Sequence, residues 1–204
     1  MRRRLTYFLV LFTLILLWAC SQAPAPIPSL THIPQPPEAL LPTPTIVTGV
    51  CTTVSEIPVE ECAALVELYE KTNGANWNTN FEDWQAKDLW LTSSTPCSWG
   101  GVTCQAGHVI GLSLALVGLE GELPANLGNL TRLTRLDLTD NRLTSVPPEL
   151  GSLTHLTELN LAFNSLSSLP GELNQLTNLT TLYLAGNQLS SLPPIGKLTN
   201  LTVL

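Results

Sequence analysis

The sequence is poor in charge, and poorest in positive charge. Asp, Glu, Lys and Arg make up 12% of its 204 residues, against about 25% in an ordinary soluble domain. Nine Lys and Arg stand against sixteen Asp and Glu, and three of the nine are Arg2, Arg3 and Arg4. Nucleic-acid binding needs clustered cations to meet phosphates, so that class is excluded. An anionic lipid surface would repel the chain for the same reason. Histidine is also scarce: His32, His108 and His155 stand apart, with no paired His or carboxylate at ligand spacing, which removes HExxH-type zinc chemistry. No GxSxG turn and no glycine-rich phosphate loop occurs. Asp137 and Asp140 make only a weak calcium pair, because Asn160 and Phe163 replace them one period later. No cofactor is called for, and catalysis is not expected. The uncharged apolar run Leu5 to Ala19 has fifteen residues, about 22 Å as a helix against the roughly 30 Å of a bilayer core.

Leucine is what the sequence has, and it recurs on a fixed period. Residues 131–153, 154–176 and 177–198 read TRLTRLDLTDNRLTSVPPELGSL, THLTELNLAFNSLSSLPGELNQL and TNLTTLYLAGNQLSSLPPIGKL. Each carries LxxLxL, then Asn, then a hydrophobic residue, then LP or VP. In LxL both leucines point to one face of a short strand. One turn cannot bury them alone, but stacked turns bury them as a continuous ribbon with the strands in a parallel sheet. Asn141, Asn164 and Asn187 fall where the chain leaves the strand, positioned to satisfy backbone groups of adjacent turns. Pro147, Pro170 and Pro193 fix φ on the outer side and suit an irregular, polyproline-like return.

This pattern resembles the leucine-rich repeat family. Residues 107–130 form an earlier turn with two departures: Val117 replaces the Asn, and GLEGELP is one residue longer, similar to plant-type repeats. Residues 199–204 open a partial fifth turn with Leu201 and Leu204, so the sequence reads as part of a longer array. The fold expected is an α/β solenoid: a horseshoe segment with a parallel β-sheet on the concave face, an irregular or 3-10 convex side, and an N-terminal helical, disulfide-bonded cap.

Residues 1–19 meet the physical criteria of an export signal, three arginines and then an apolar run. Leu17, Ala19 and Cys20 resemble the bacterial lipobox, with Trp18 as a departure. That resemblance implies a lipid on the Cys20 sulfur, attachment to a membrane through it, a place in the cell envelope and, since Ser21 and not Asp follows, the outer membrane if the cell is Gram-negative. Residues 20–48 then form a linker, with eight prolines between positions 21 and 48. Such a segment is extended and semi-rigid, with a reach of roughly 90 Å, and suits a tether.

Residues 49–106 are expected to be the cap. SEIPVEECAALVELYEKTNG reads as one helix with Pro58 in its first turn, an apolar stripe of Val59, Cys62, Val66 and Tyr69, and Glu60, Glu61, Glu67 and Lys71 facing water. Asn73-Gly74 stops it. Trp77, Trp84, Trp90 and Trp99 follow, with Phe81 among them. Such rings either stack on sugars or cover the leucines at the solenoid end, and covering is the expectation. YEKTNGANW and PCSWGGVTC are similar to the N-terminal cap of plant-type leucine-rich repeat proteins, which bacterial surface proteins also carry. Cys51, Cys62, Cys97 and Cys104 admit three pairings. An exported chain meets an oxidising compartment, and the spacing lacks CxxC pairs, so disulfides are expected over zinc. The expected pairs are Cys97–Cys104 and Cys51–Cys62.

The positions between the buried leucines point outward and stack into rows: Arg135, Glu158 and Thr181; Asp137, Asn160 and Tyr183; Thr139, Ala162 and Ala185. Family resemblance makes this concave face the expected binding surface, for a protein or peptide first and for carbohydrate second. Tyr183 and Phe163 are its aromatic anchors. Asn129, Asn178 and Asn200 begin glycosylation sequons but are read as the NLT element of the repeat. The function expected is recognition at the cell surface. Its rivals are the recognition part of a larger enzyme or receptor, and a structural spacer in the envelope.

Overall fold

The computed structural model describes residues 49–78 and 90–204. The signal peptide, Cys20, the proline-rich linker, Phe81 and Trp84 lie outside the described residues.

Among the described residues, one α-helix, α1 (Val59–Lys71), is followed by seven strands: β1 (Val102–Gln105), β2 (His108–Ser113), β3 (Glu120–Glu122), β4 (Arg135–Asp137), β5 (Arg142–Ser145), β6 (Glu158–Asn160) and β7 (Thr181–Tyr183). The main sheet runs β1-β2-β4-β6-β7, and β3 pairs with β5 in a second, two-stranded sheet. Only β1–β2 is antiparallel. The other pairs are parallel, and they keep the sequence period in register, with Leu112, Leu136, Leu159 and Leu182 side by side. A bridge from Thr181 to Val203 carries the pairing into the next turn. Leu133, Leu136, Leu138, Leu143, Leu156, Leu159, Leu161 and Leu166 are each 0% exposed. Full burial of each contributes about 1.5–3 kcal/mol, which is what holds strands of three residues together.

The outer side is built from 3-10 turns at Ala125–Asn129, Pro148–Ser152 and Gly171–Gln175, each entered through a proline in polyproline geometry: Pro124, Pro147 and Pro170. These turns stack closely. A Cβ on Gly151 would lie 2.5 Å from the Glu172 carbonyl oxygen, and one on Gly128 2.6 Å from that of Glu149. Asn174 occupies the same position in the third turn. There the following turn is one residue shorter, and the Asn174 Oδ1 accepts the Lys197 N–H at 2.8 Å. The β3–β5 register shifts between Gly121 and Glu122, where Thr144 of β5 has no opposite number and Gly121 has φ +85. A β-bulge of this kind favours glycine.

The cap differs from expectation at three points. The helix starts at Val59, and Pro58 is its extended N-cap rather than part of its first turn. Val59, so placed at the helix end, is 52% exposed and takes no part in the buried stripe, which is Cys62, Ala64, Leu65, Val66 and Leu68. Glu61 does not face water: it is 3% exposed and accepts the Val109 N–H at 2.8 Å and a hydrogen bond with His108 Nδ1 at 2.6 Å. A buried carboxylate is tolerable only with such partners. It ties the helix to the first repeat strand.

Cys51 is bonded to Cys62 and Cys97 to Cys104. Trp77, Trp90 and Trp99 are 7%, 5% and 0% exposed. Their centroids run 5.0 Å from Trp77 to Trp90 and 5.3 Å from Trp90 to Trp99, and Tyr69 joins Trp77 at 5.3 Å. Each indole N–H has an acceptor: Thr72 O, Gly100 O and Ser93 Oγ respectively. These rings belong to the same core as the repeat leucines. Packed so, they leave no face for a sugar.

Candidate functional site: the concave sheet face

Three short parallel strands set the six expected site residues side by side. Arg135 on β4 lies opposite Glu158 on β6, which lies opposite Thr181 on β7; Asp137, Asn160 and Tyr183 form the adjacent row. The structure brings all six together. The Arg135 guanidinium sits 3.4 Å from Glu158 and 3.7 Å from Asp137, with side-chain exposures of 56%, 30% and 14%. Such exposed pairs contribute about 0–1 kcal/mol each, so the arrangement fixes orientation more than stability.

Asp137 and Asn160 have a second duty. The Asp137 Oδ1 accepts the Thr139 N–H at 3.2 Å, and the Asn160 Oδ1 accepts the Ala162 N–H at 3.1 Å. Both side chains therefore shape the strand exit, as Asp and Asn do in turns. Asp137 is thus engaged both by this backbone bond and by Arg135. In the third row Ala162 is buried, at 6% exposed, and does not face outward.

The two aromatic residues are open. Phe163 is 58% exposed and Tyr183 39%. Phe163 has φ +54, and the same place in the other turns is held by Leu116, Asp140 and Gly186 at φ +64, +55 and +73. A left-handed non-glycine residue costs about 1–2 kcal/mol. The Phe163 ring reaches over Gly186, where an added Cβ would meet its Cδ1 at 2.4 Å. The glycine of the fourth turn thus gives the ring its place.

Two ladders support this face from below. Thr134, Thr157, Thr180 and Thr202 each donate a hydroxyl hydrogen bond to the equivalent carbonyl one turn back, at 2.8–3.0 Å. Asn141, Asn164 and Asn187 bridge turns at the strand exits. Val117 leaves the first rung empty, and the cap fills it: the Asn78 N–H donates to Val117 O at 2.8 Å. The asparagine ladder was legible from its period. The threonine ladder is equally periodic in sequence, but threonine at a strand start reads as ordinary β-propensity. Asn178 and Asn200 donate to Thr154 O and Thr177 O at 2.7 and 2.8 Å, a structural role within the repeat.

Comparison with known proteins places this geometry. A leucine rich repeat family model matches residues 131–189, and a model of leucine rich repeats in two copies matches residues 177–204. The chain is 37% identical over 79 residues to the LRR receptor-like serine/threonine-protein kinase GSO2 of Arabidopsis thaliana, 39% of this chain and 6% of that protein. It is 42% identical over 59 residues to phytosulfokine receptor 2 of the same plant, 27% of this chain and 6% of that protein. The chain thus spans a small fraction of these relatives' length. Among solved structures, the BIR2 ectodomain of Arabidopsis thaliana superposes with a TM-score of 0.54 at 25% identity, over 74% of this chain and 79% of that one. A chain of the BIR3–SERK2 complex does so with a TM-score of 0.52 at 27% identity, over 68% and 79%. The fold is a leucine-rich repeat solenoid with a disulfide-bonded cap.

Proposed function

We propose that this leucine-rich repeat chain is a recognition module at the cell surface, and that its concave sheet face binds a protein or peptide partner. The observation that carries the reading is the face itself. Arg135, Asp137, Glu158, Asn160, Thr181 and Tyr183 stand in register on a rigid sheet, with Tyr183 and Phe163 open beside charged side chains. Exposed aromatic and arginine anchors are what protein interfaces favour. The relatives support it in kind, because they are named as a receptor-like kinase and a receptor, and one neighbour was solved as a complex of two proteins, BIR3 and SERK2. The role is binding rather than catalysis: both acids of the face are engaged by Arg135, and Asp137 also by the backbone.

Surface attachment through a lipid on Cys20 is part of this proposal and rests on Leu17, Ala19 and Cys20 after the apolar run. Among the described residues no helix is long and apolar enough to cross a membrane. The test is capture from an envelope extract. Arg135→Ala with Tyr183→Ala should lower partner recovery while the melting temperature holds. Recovery unchanged by that pair would remove the face from the proposal.

A further inference from the structure

We propose a second binding site at the strand-entry end of the sheet: a groove that takes a carboxylate on a short aliphatic stem. It lies where the β1–β2 hairpin meets the start of the next turn. Its volume is about 380 Å³, and its lining is Gln105, Ala106, His108, Ile110 and Arg132. Ile110 and Ala106 supply an apolar wall. Arg132 and Gln105 supply donors, and His108 a ring nitrogen.

Arg132 is the centre of the argument. The chain has a surplus of acid, and its other described arginines have found it: Arg135 pairs with Asp137 and Glu158, Arg142 with Glu120. Arg132 has neither an ion pair nor a side-chain hydrogen bond among the described residues. The repeat makes this an exception. His155, Asn178 and Asn200 hold the same position one, two and three turns on, and each is hydrogen-bonded to the threonine carbonyl of the turn before, at 3.0, 2.7 and 2.8 Å. Arg132 makes no such bond and is left over the groove. A guanidinium offers a two-pronged match to a carboxylate.

His108 holds that position in the first turn, and it is positioned from behind. Its Nδ1 faces the buried Glu61 at 2.6 Å, which leaves Nε2 as the ring's free nitrogen. The second Glu61 oxygen is taken by the Val109 N–H. Glu56, from the segment before α1, is turned away to the Cys97 N–H. Gln105, paired with His108 across the hairpin turn, makes no side-chain hydrogen bond among the described residues, and its carboxamide completes the donor set. A single carboxylate matches the donor set in charge, and a short aliphatic stem behind it would lie against Ile110 and Ala106.

The carboxylate could come from a small free acid, an acidic side chain or a chain terminus, and the test separates them. The whole chain, labelled with ¹⁵N, is titrated with butyrate and with butyramide while the Arg132 Nε–H and His108 ring signals are followed. Saturable shifts are expected with butyrate and none with butyramide. Arg132→Gln should weaken binding about tenfold, the effect of losing a charged hydrogen-bond donor, Arg132→Lys by less, and Lys197→Gln not at all. Tighter binding of acetyl-Gly-Glu-Gly-amide than of butyrate would identify a side chain, tighter binding of acetyl-Gly-Gly-Leu as the free acid a chain terminus, and neither a free acid. Equal shifts with butyrate and butyramide, shifts that never saturate, or binding indifferent to Arg132→Gln in a protein with an otherwise unchanged spectrum would each overturn the proposal.

Discussion

The three ladder asparagines look equivalent in sequence, yet truncating each to Ala should cost different amounts. Asn141 is 8% exposed, and its Oδ1 accepts both the Gly118 and Leu119 N–H groups at 2.9 Å. Its Nδ2 donates to Leu114 O, Leu138 O and Thr139 O. Asn164 is 7% exposed, and its Oδ1 serves one amide, that of Leu143, at 3.0 Å. Its Nδ2 goes to Leu138 O, Leu161 O and Ala162 O. Leu138 O is also held by Asn141, Leu161 O by Asn187, and Ala162 O by the Asp140 N–H. Asn187 is half-buried, so water can replace it at Leu166 N–H and Leu184 O.

A buried polar group left unpaired costs about 1–3 kcal/mol, and a lost hydrogen bond with a substitute costs about 0.5–1.5. Asn141→Ala leaves Gly118 N–H, Leu119 N–H and Leu114 O unpaired, because Leu138 O keeps Asn164 and Thr139 O keeps the Leu116 N–H, and should cost about 3–9 kcal/mol by that rule. Asn164→Ala strands one amide and should cost about 1–3, and Asn187→Ala about 1. Denaturant midpoints at constant slope give the order. Native-state hydrogen exchange gives the place: protection should fall first at Gly118 and Leu119, at Leu143, and at Leu166 respectively. Equal costs for the three, or losses of protection unrelated to these amides, would refute the accounting.

Other outcomes follow from the same structure. Leu159→Ala, at a fully buried site, should cost about 2–5 kcal/mol through lost burial and a cavity, with exchange quickened in both neighbouring turns. Gly151→Ala forces a Cβ against the Glu172 backbone and should cost about 1–3 kcal/mol as overpacking, read by thermal melting; an unchanged melting temperature would mean the 3-10 turns are not in contact. Glu120 has its carboxyl held below the usual value by hydrogen bonds from Arg142 first and Asn73 second. Its contribution to folding is therefore present above the ordinary carboxylate range and is lost as pH falls through the lowered value. An NMR titration of Glu120 should show the midpoint rise in Arg142→Gln. Palmitate label should enter the wild-type chain expressed in a bacterium and not Cys20→Ala; equal label in both would remove the lipid anchor.

What could be read from sequence was whatever repeats. Periods of 22 to 24 residues made the buried leucines, the asparagine ladder and the outward rows legible, because a stacked architecture turns spacing directly into neighbourhood. What could not be read was set once, by a contact between distant segments. Glu61 looked like a solvent-facing helix acid because nothing local announces that Val109, 48 residues on, needs a hydrogen-bond acceptor there. Ala162 lies on the nominally exposed face, yet the chain is already bending at that point and the residue closes inward. The same distinction separates the two proposed sites. The concave face is written into every turn, whereas the groove exists only where the hairpin of the cap interrupts the repeat and leaves one rung, Arg132, without the bond that its equivalents make to the turn before. In a solenoid, each turn stabilises the next through shared bonds, so a residue that breaks the ladder forgoes a contact its equivalents make, and such positions are where a function distinct from stacking should be sought.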